Sequence, residues 1–114
     1  MKSISFSDYR QDVAALVKDI IPHPDMYYHE LSHLEALLDG HWMAYEPLCG
    51  LTRENAFSVC FVEWLCKTRS SPRGGCGWAP RIEDLAKKMD RYPDLLFAEL
   101  VNEFLAEWTA NDSK

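Results

Sequence analysis

The sequence predicts an all-α fold, a single small bundle of about five helices over residues 1–114 with one long Gly/Pro-rich loop at 69–80. Three observations carry this. Apolar residues recur at three- and four-residue spacing in separate segments. Proline and glycine fall between those segments. Strand signals are too few to build a sheet.

Phe6, Tyr9, Val13, Leu16, Val17 and Ile20 share one helical face, so residues 6–21 read as the first helix. Ser5 is its N-cap, Asp8 stands three residues on, and Pro22 stops it. Pro22-His23-Pro24-Asp25 is a rigid corner. A second helix then runs to about Asp39, with Tyr27, Leu31, Leu34 and Leu38 as its apolar face and Gly40 as its C-terminal signal. Residues 41–51 read as a connector with a short turn around Trp42, Met43 and Tyr45, broken by Pro47 and Gly50.

Thr52 caps a stretch from Ala56 to Cys66 that is apolar nearly all round, the mark of a central helix. Its β-branched and aromatic part, Phe57 to Val62, also suits a strand. Helix is the reading adopted, because the chain offers little for such a strand to pair with. Ser70 to Pro80 holds three glycines and two prolines and reads as loop. Ile82, Leu85, Ala86 and Met89 mark a short helix. Tyr92-Pro93-Asp94 opens the last one, which turns Phe97, Leu100, Val101, Phe104, Leu105 and Trp108 inward.

The 114 residues allow one modest core, and 47% hydrophobic with 26% charged residues is ordinary for a globular domain. The apolar runs are far shorter than the roughly 20 residues that span a bilayer, so no membrane role is expected. Eighteen acids against twelve bases give a net charge of −6, which opposes nucleic-acid and anionic-membrane partners. No apolar h-region follows Lys2, so a cytoplasmic location is expected, with Cys49, Cys60, Cys66 and Cys76 as reduced, structural thiols. None of them has zinc-site spacing.

Residues 29–33 read His29-Glu30-Leu31-Ser32-His33. On a helix the two histidines lie about 6 Å apart on one face, within reach of one zinc ion, and Glu30 is placed to polarise a metal-bound water. This H-E-x-x-H resembles the active helix of the zincin metallopeptidases. The resemblance implies a zinc-dependent hydrolase with His29 and His33 as ligands and Glu30 as catalytic base. Asp39 falls where some relatives of that group place a third ligand, but Ala36 stands where their glycine turns the chain. Asp39 is therefore expected to stay on the helix, about 9 Å along its axis from His33. The other donors, His23, His41, Glu46 and Glu54, stand at no site-like spacing.

On the last helix Glu99, Glu103 and Glu107 recur at i, i+4 and i+8, with no basic residue in that helix. Such like-charge pairs cost roughly 0.2–0.5 kcal/mol each. A surface accepting that cost is suited to attracting a basic protein partner. The alternative is a solvated face balanced by Lys87, Lys88 or Arg91. Trp78, in the glycine-rich loop, is either tucked onto the core or an exposed anchor for a partner. Gly74-Gly75-Cys76-Gly77 lacks the phosphate-loop pattern. Cys76 as a nucleophile requires a histidine that the sequence does not place beside it.

The function expected is a non-catalytic acidic binding module with no cofactor. It captures a basic protein partner through Glu99, Glu103, Glu107 and Trp78, by analogy of size and charge with small inhibitors and toxin-immunity proteins. The alternative is the zinc hydrolase; a homodimer is a further possibility.

Overall fold

The first helix starts as its sequence dictates. In the structure, a computed structural model that describes residues 5–22, 30–49, 53–71 and 77–110, α1 spans Phe6–Ile20 and Ser5 forms a full capping box with Asp8. The Asp8 N–H donates to Ser5 Oγ and the Ser5 N–H to Asp8 Oδ2, both at 3.1 Å. Four more α-helices follow: α2 (Leu31–Cys49), α3 (Phe57–Thr68), α4 (Trp78–Met89) and α5 (Pro93–Trp108), with a 3-10 turn at Arg53–Asn55 before α3. The described residues contain no strand, so the chain is all-α and Phe57–Val62 is helical.

Two boundaries differ from the sequence reading. The second helix does not end at Asp39 with Gly40 as its stop; it continues through Gly40 to Cys49. Leu34, Leu38 and Trp42 are buried on one row and Tyr45 packs beside them. Burying an indole outweighs the roughly 1 kcal/mol that a mid-helix glycine costs. At the other boundary, Ala79 and Pro80 belong to the first turn of α4, not to the loop. A first-turn proline gives up only an N–H that has no intrahelical partner. Residues 72–76 of the expected loop, Tyr27, and Thr52 as a cap lie outside the described residues.

The core is aromatic. Tyr9 is fully buried, with Trp42 edge-on at 4.9 Å and Trp108 edge-on at 6.0 Å. Trp78, also fully buried, stacks on Phe97 at 4.9 Å, and Phe57, Phe61 and Phe104 fill the space between α3 and α5. Offset and edge-on pairs of this kind add to plain burial.

Two helices start against this core without a cap of their own, and each takes one from a distant helix. At α3, the N-cap residue Ala56 has no polar side chain, and the Phe57 N–H donates to Tyr9 Oη at 2.9 Å. At α4, the Trp78 N–H donates to Glu35 Oε2 at 2.6 Å and the Ala79 N–H reaches the same oxygen at 3.4 Å. The negative carboxylate also suits the positive end of the helix. Glu35 comes so close that a Cβ on Gly77 would overlap its Oε2. A larger residue there would have to push the Glu35 carboxylate aside and give up the cap. The Trp78 Nε1–H in turn donates to Ser58 Oγ at 3.2 Å, and the Ser58 hydroxyl donates to Asp39 Oδ1.

Half-burial holds the Glu35 carboxyl above its ordinary value; the N–H groups of Ala79 and Trp78 pull against that, and nearby Asp39 adds to it. A carboxyl raised on folding contributes stability that is fully present below the unfolded pKa and is lost as pH rises through the folded one. Chemical denaturation at stepped pH should therefore show stability declining upward from the ordinary carboxyl range, and Glu35→Gln should flatten that decline. In a double-mutant cycle, Gly77→Ala should cost about 1 kcal/mol alone, by displacing the cap, and close to nothing in a Glu35→Ala background. Additive losses would show that Gly77 serves some other constraint.

Candidate functional site

The partner-binding residues expected from sequence divide once the helices are packed. Trp78 is 0% exposed, held between α3 and α5 with its indole N–H satisfied, so it presents nothing to a partner. Its place as the first residue of α4, capped from α2, turns it inward.

The three glutamates of α5 lie on the surface, but each has a partner within the chain. Arg91 Nη2 meets Glu99 Oε2 at 2.7 Å, and Arg69 Nη2 meets Glu103 Oε2 at 2.7 Å. The Trp64 Nε1–H donates to Glu107 Oε2 at 2.8 Å. The like-charge cost along α5 is thus offset from the α4–α5 turn and from α3. Of the bases expected to balance the stripe, Arg91 does so at Glu99. Arg69 was not foreseen: it also stacks over the Trp64 ring, 5.2 Å from its centroid.

Between α3 and α5 lies an open groove of about 350 Å³, lined by Cys60, Trp64, Phe104 and Trp108, with Glu54, Glu63, Glu107 and Lys67 around it. Phe104 is its floor, with Trp108 stacked on it at 5.2 Å and Trp64 edge-on at 5.8 Å. Helical spacing sets this arrangement: Phe104 and Trp108 stand at i and i+4 on α5, and Cys60 and Trp64 at i and i+4 on α3. The Cys60 thiol donates to the Glu54 carbonyl at 3.4 Å, and burial pushes it up, away from the thiolate that a nucleophile needs. The groove therefore offers apolar contact under a rim of mixed charge in which carboxylates outnumber the single lysine. Only Glu107 of the expected partner-binding residues belongs to it. The signal in the sequence was the pairing of two apolar i, i+4 steps on different helices, which has no meaning until the helices are neighbours.

The H-E-x-x-H segment is half visible. His29 lies outside the described residues. His33 and Glu30 are both well exposed, with His33 Nε2 and Glu30 Oε2 3.9 Å apart. Asp39 remains on the helix, as expected, and accepts from Ser58. Among the described residues no three of His, Cys, Asp and Glu gather where they could hold a metal ion. Cys60 and Cys66 are free thiols; Cys76 and the side chain of Cys49 lie outside the described residues.

A second polar cluster joins α1 to α2. The Tyr45 hydroxyl donates to Asp12 Oδ2, and His41 lies 5.0 Å from the Tyr45 ring and 6.2 Å from that of Tyr9. Burial lowers the His41 pKa, opposed by the Asp12 charge. Its Nδ1 is buried without a hydrogen bond among the described residues. The imidazole thereby packs between the rings of Tyr9 on α1 and Tyr45 on α2.

If the α5 stripe is internally balanced, its ion pairs should behave as exposed ones do. A cycle of Arg69→Ala and Glu103→Gln, followed by denaturation, should give a coupling of about 0.2–1 kcal/mol that shrinks with added salt. A coupling of zero at low salt would return Glu103 to the pool of uncompensated charge. Compared with known proteins, the chain matches no family model, no curated protein and no solved structure.

Proposed function

We propose that this chain is a non-catalytic protein-binding module that takes a basic partner segment at the groove between α3 and α5, as a small inhibitor or immunity protein would. The observation that carries the reading is the groove itself, an aromatic lining of Trp64, Phe104 and Trp108 with Glu54, Glu63, Glu107 and Lys67 around it. Aromatic side chains at a concave surface supply anchoring area, and surrounding carboxylates select a basic flank on the incoming segment. The net charge of −6 adds long-range attraction for such a partner and speeds encounter. Glu99 and Glu103 extend the same negative field along α5, although each is already paired.

The probe is a short amphipathic peptide with one leucine anchor flanked by lysine and arginine, compared with a twin in which those bases become glutamates. Chemical-shift mapping should place the basic peptide at Trp64, Phe104 and Trp108. Its affinity should fall about tenfold or more from low to high salt. Glu63→Gln with Glu107→Gln should weaken it severalfold. Equal affinity for the acidic twin, or shifts confined to another face, would overturn the proposal.

A further inference from the structure

The outward face of α2 differs from that of every other helix. The solvent-facing rows of α1, α3, α4 and α5 all carry charge: Asp12 and Lys18, Glu63 and Lys67, Glu83 and Lys87, Glu99 and Glu103. On α2, the exposed row opposite Leu34, Leu38 and Trp42 begins at His33 and continues through Ala36, Leu37, Gly40, Met43 and Ala44, a stretch with no Asp, Glu, Lys or Arg in it. Met43 is 68% exposed and Leu37 38%. Asp39, the charged residue among the exposed positions, stands to one side and turns toward α3 to meet Ser58.

Gly40 lies in the middle of this row. It weakens the helix by roughly 0.5–1 kcal/mol relative to alanine, and among the described residues no atom lies within 4 Å of where its Cβ would be. No contact among the described residues requires a glycine there. The residues around it are symmetric in kind. Leu37 and Met43 stand three positions to either side, and Ala36 and Ala44 four positions to either side. A two-fold axis through Gly40 would set Leu37 beside Met43 of a second copy and Ala36 beside Ala44, small against small and large apolar against large apolar. Self-complementarity of that form is what an isologous interface needs, and a glycine at the crossing lets two backbones approach.

We propose that α2 is the interface of a homodimer, packed antiparallel against α2 of a second copy across Gly40. Charge favours a second copy over a basic partner on this face. Two chains of −6 repel at long range and meet most readily along a row without charge, whereas a basic segment finds no carboxylate in the row. Ala36 to Ala44 is about 12 Å of helix, so the contact falls short of the roughly 800 Å² per partner of a standard stable interface. The dimer is accordingly weak and reversible. It leaves the α3–α5 groove open and does not rest on the reading given to that groove.

The test is sedimentation of the full chain from about 10 μM to 1 mM, a span that covers weak association. The wild type should self-associate reversibly, and more strongly in added salt, the opposite of the salt response expected for a basic peptide at the groove. Gly40→Leu and Leu37→Glu should each weaken association about tenfold or more while leaving the unfolding midpoint of the dilute monomer unchanged or raised. Tyr92→Glu, at the exposed Met89, Tyr92 and Leu95 cluster of the α4–α5 corner, should have no effect. A wild type that remains monomeric at the highest concentration, or a dimer abolished by Tyr92→Glu and indifferent to Leu37→Glu, would overturn the proposal.

Discussion

The carboxylate of Glu35 at the start of α4 is the contact on which the rest of the arrangement turns. The N–H groups of Trp78 and Ala79 begin a helix against the aromatic core, where water does not reach them easily, and an unsatisfied buried donor costs about 1–3 kcal/mol. One oxygen from α2 answers both. In that position the carboxylate fills the space a Cβ at residue 77 would take, and the cap accompanies the packing of the Trp78 indole against Phe97 and Ser58. Tyr9 does the same for α3 through Phe57. The bundle is therefore tied by side-chain caps running from α1 and α2 into α3 and α4, as well as by apolar burial.

The same economy shapes the surface of α5. Its three glutamates, repulsive along one helix, become tolerable once Arg69, Arg91 and the Trp64 indole reach them from neighbouring segments. The pairing is not neutral for the groove. Trp64 is held on one side by Arg69 above its ring and on its edge by Glu107, so contacts within the chain position this side of the groove.

α2 works on both sides. Its inner row, Leu34, Leu38 and Trp42, fills the core, and its edge supplies Glu35 and Asp39 to α4 and α3. Its outer row from Ala36 to Ala44 is exposed and carries no charged side chain. A helix so fully used on one face, with Gly40 exposed in the middle of the other, is why the proposed homodimer is placed there.

Much of the architecture was legible in the chain. The capping box of Ser5 and Asp8, the 3–4 periodicity of α1 and α5, and Pro93 opening α5 are local facts, written within a few residues of where they act. Gly40 misled as a stop because a glycine ends a helix only when the next turn has nothing to bury, and Trp42 did. Trp78 and Pro80 read as loop because their helix is capped from 43 residues away. Glu107 was visible as a charge but not as part of a groove, since Trp64 and Trp108 become neighbours only after α3 and α5 pack. The sequence by itself determined that the chain is helical, where most of its helices lie and which faces they bury, because these follow from side-chain spacing along one backbone. Which carboxylates cap, pair or border a groove was decided by tertiary structure alone, because each such role depends on a partner that only packing brings within hydrogen-bonding distance.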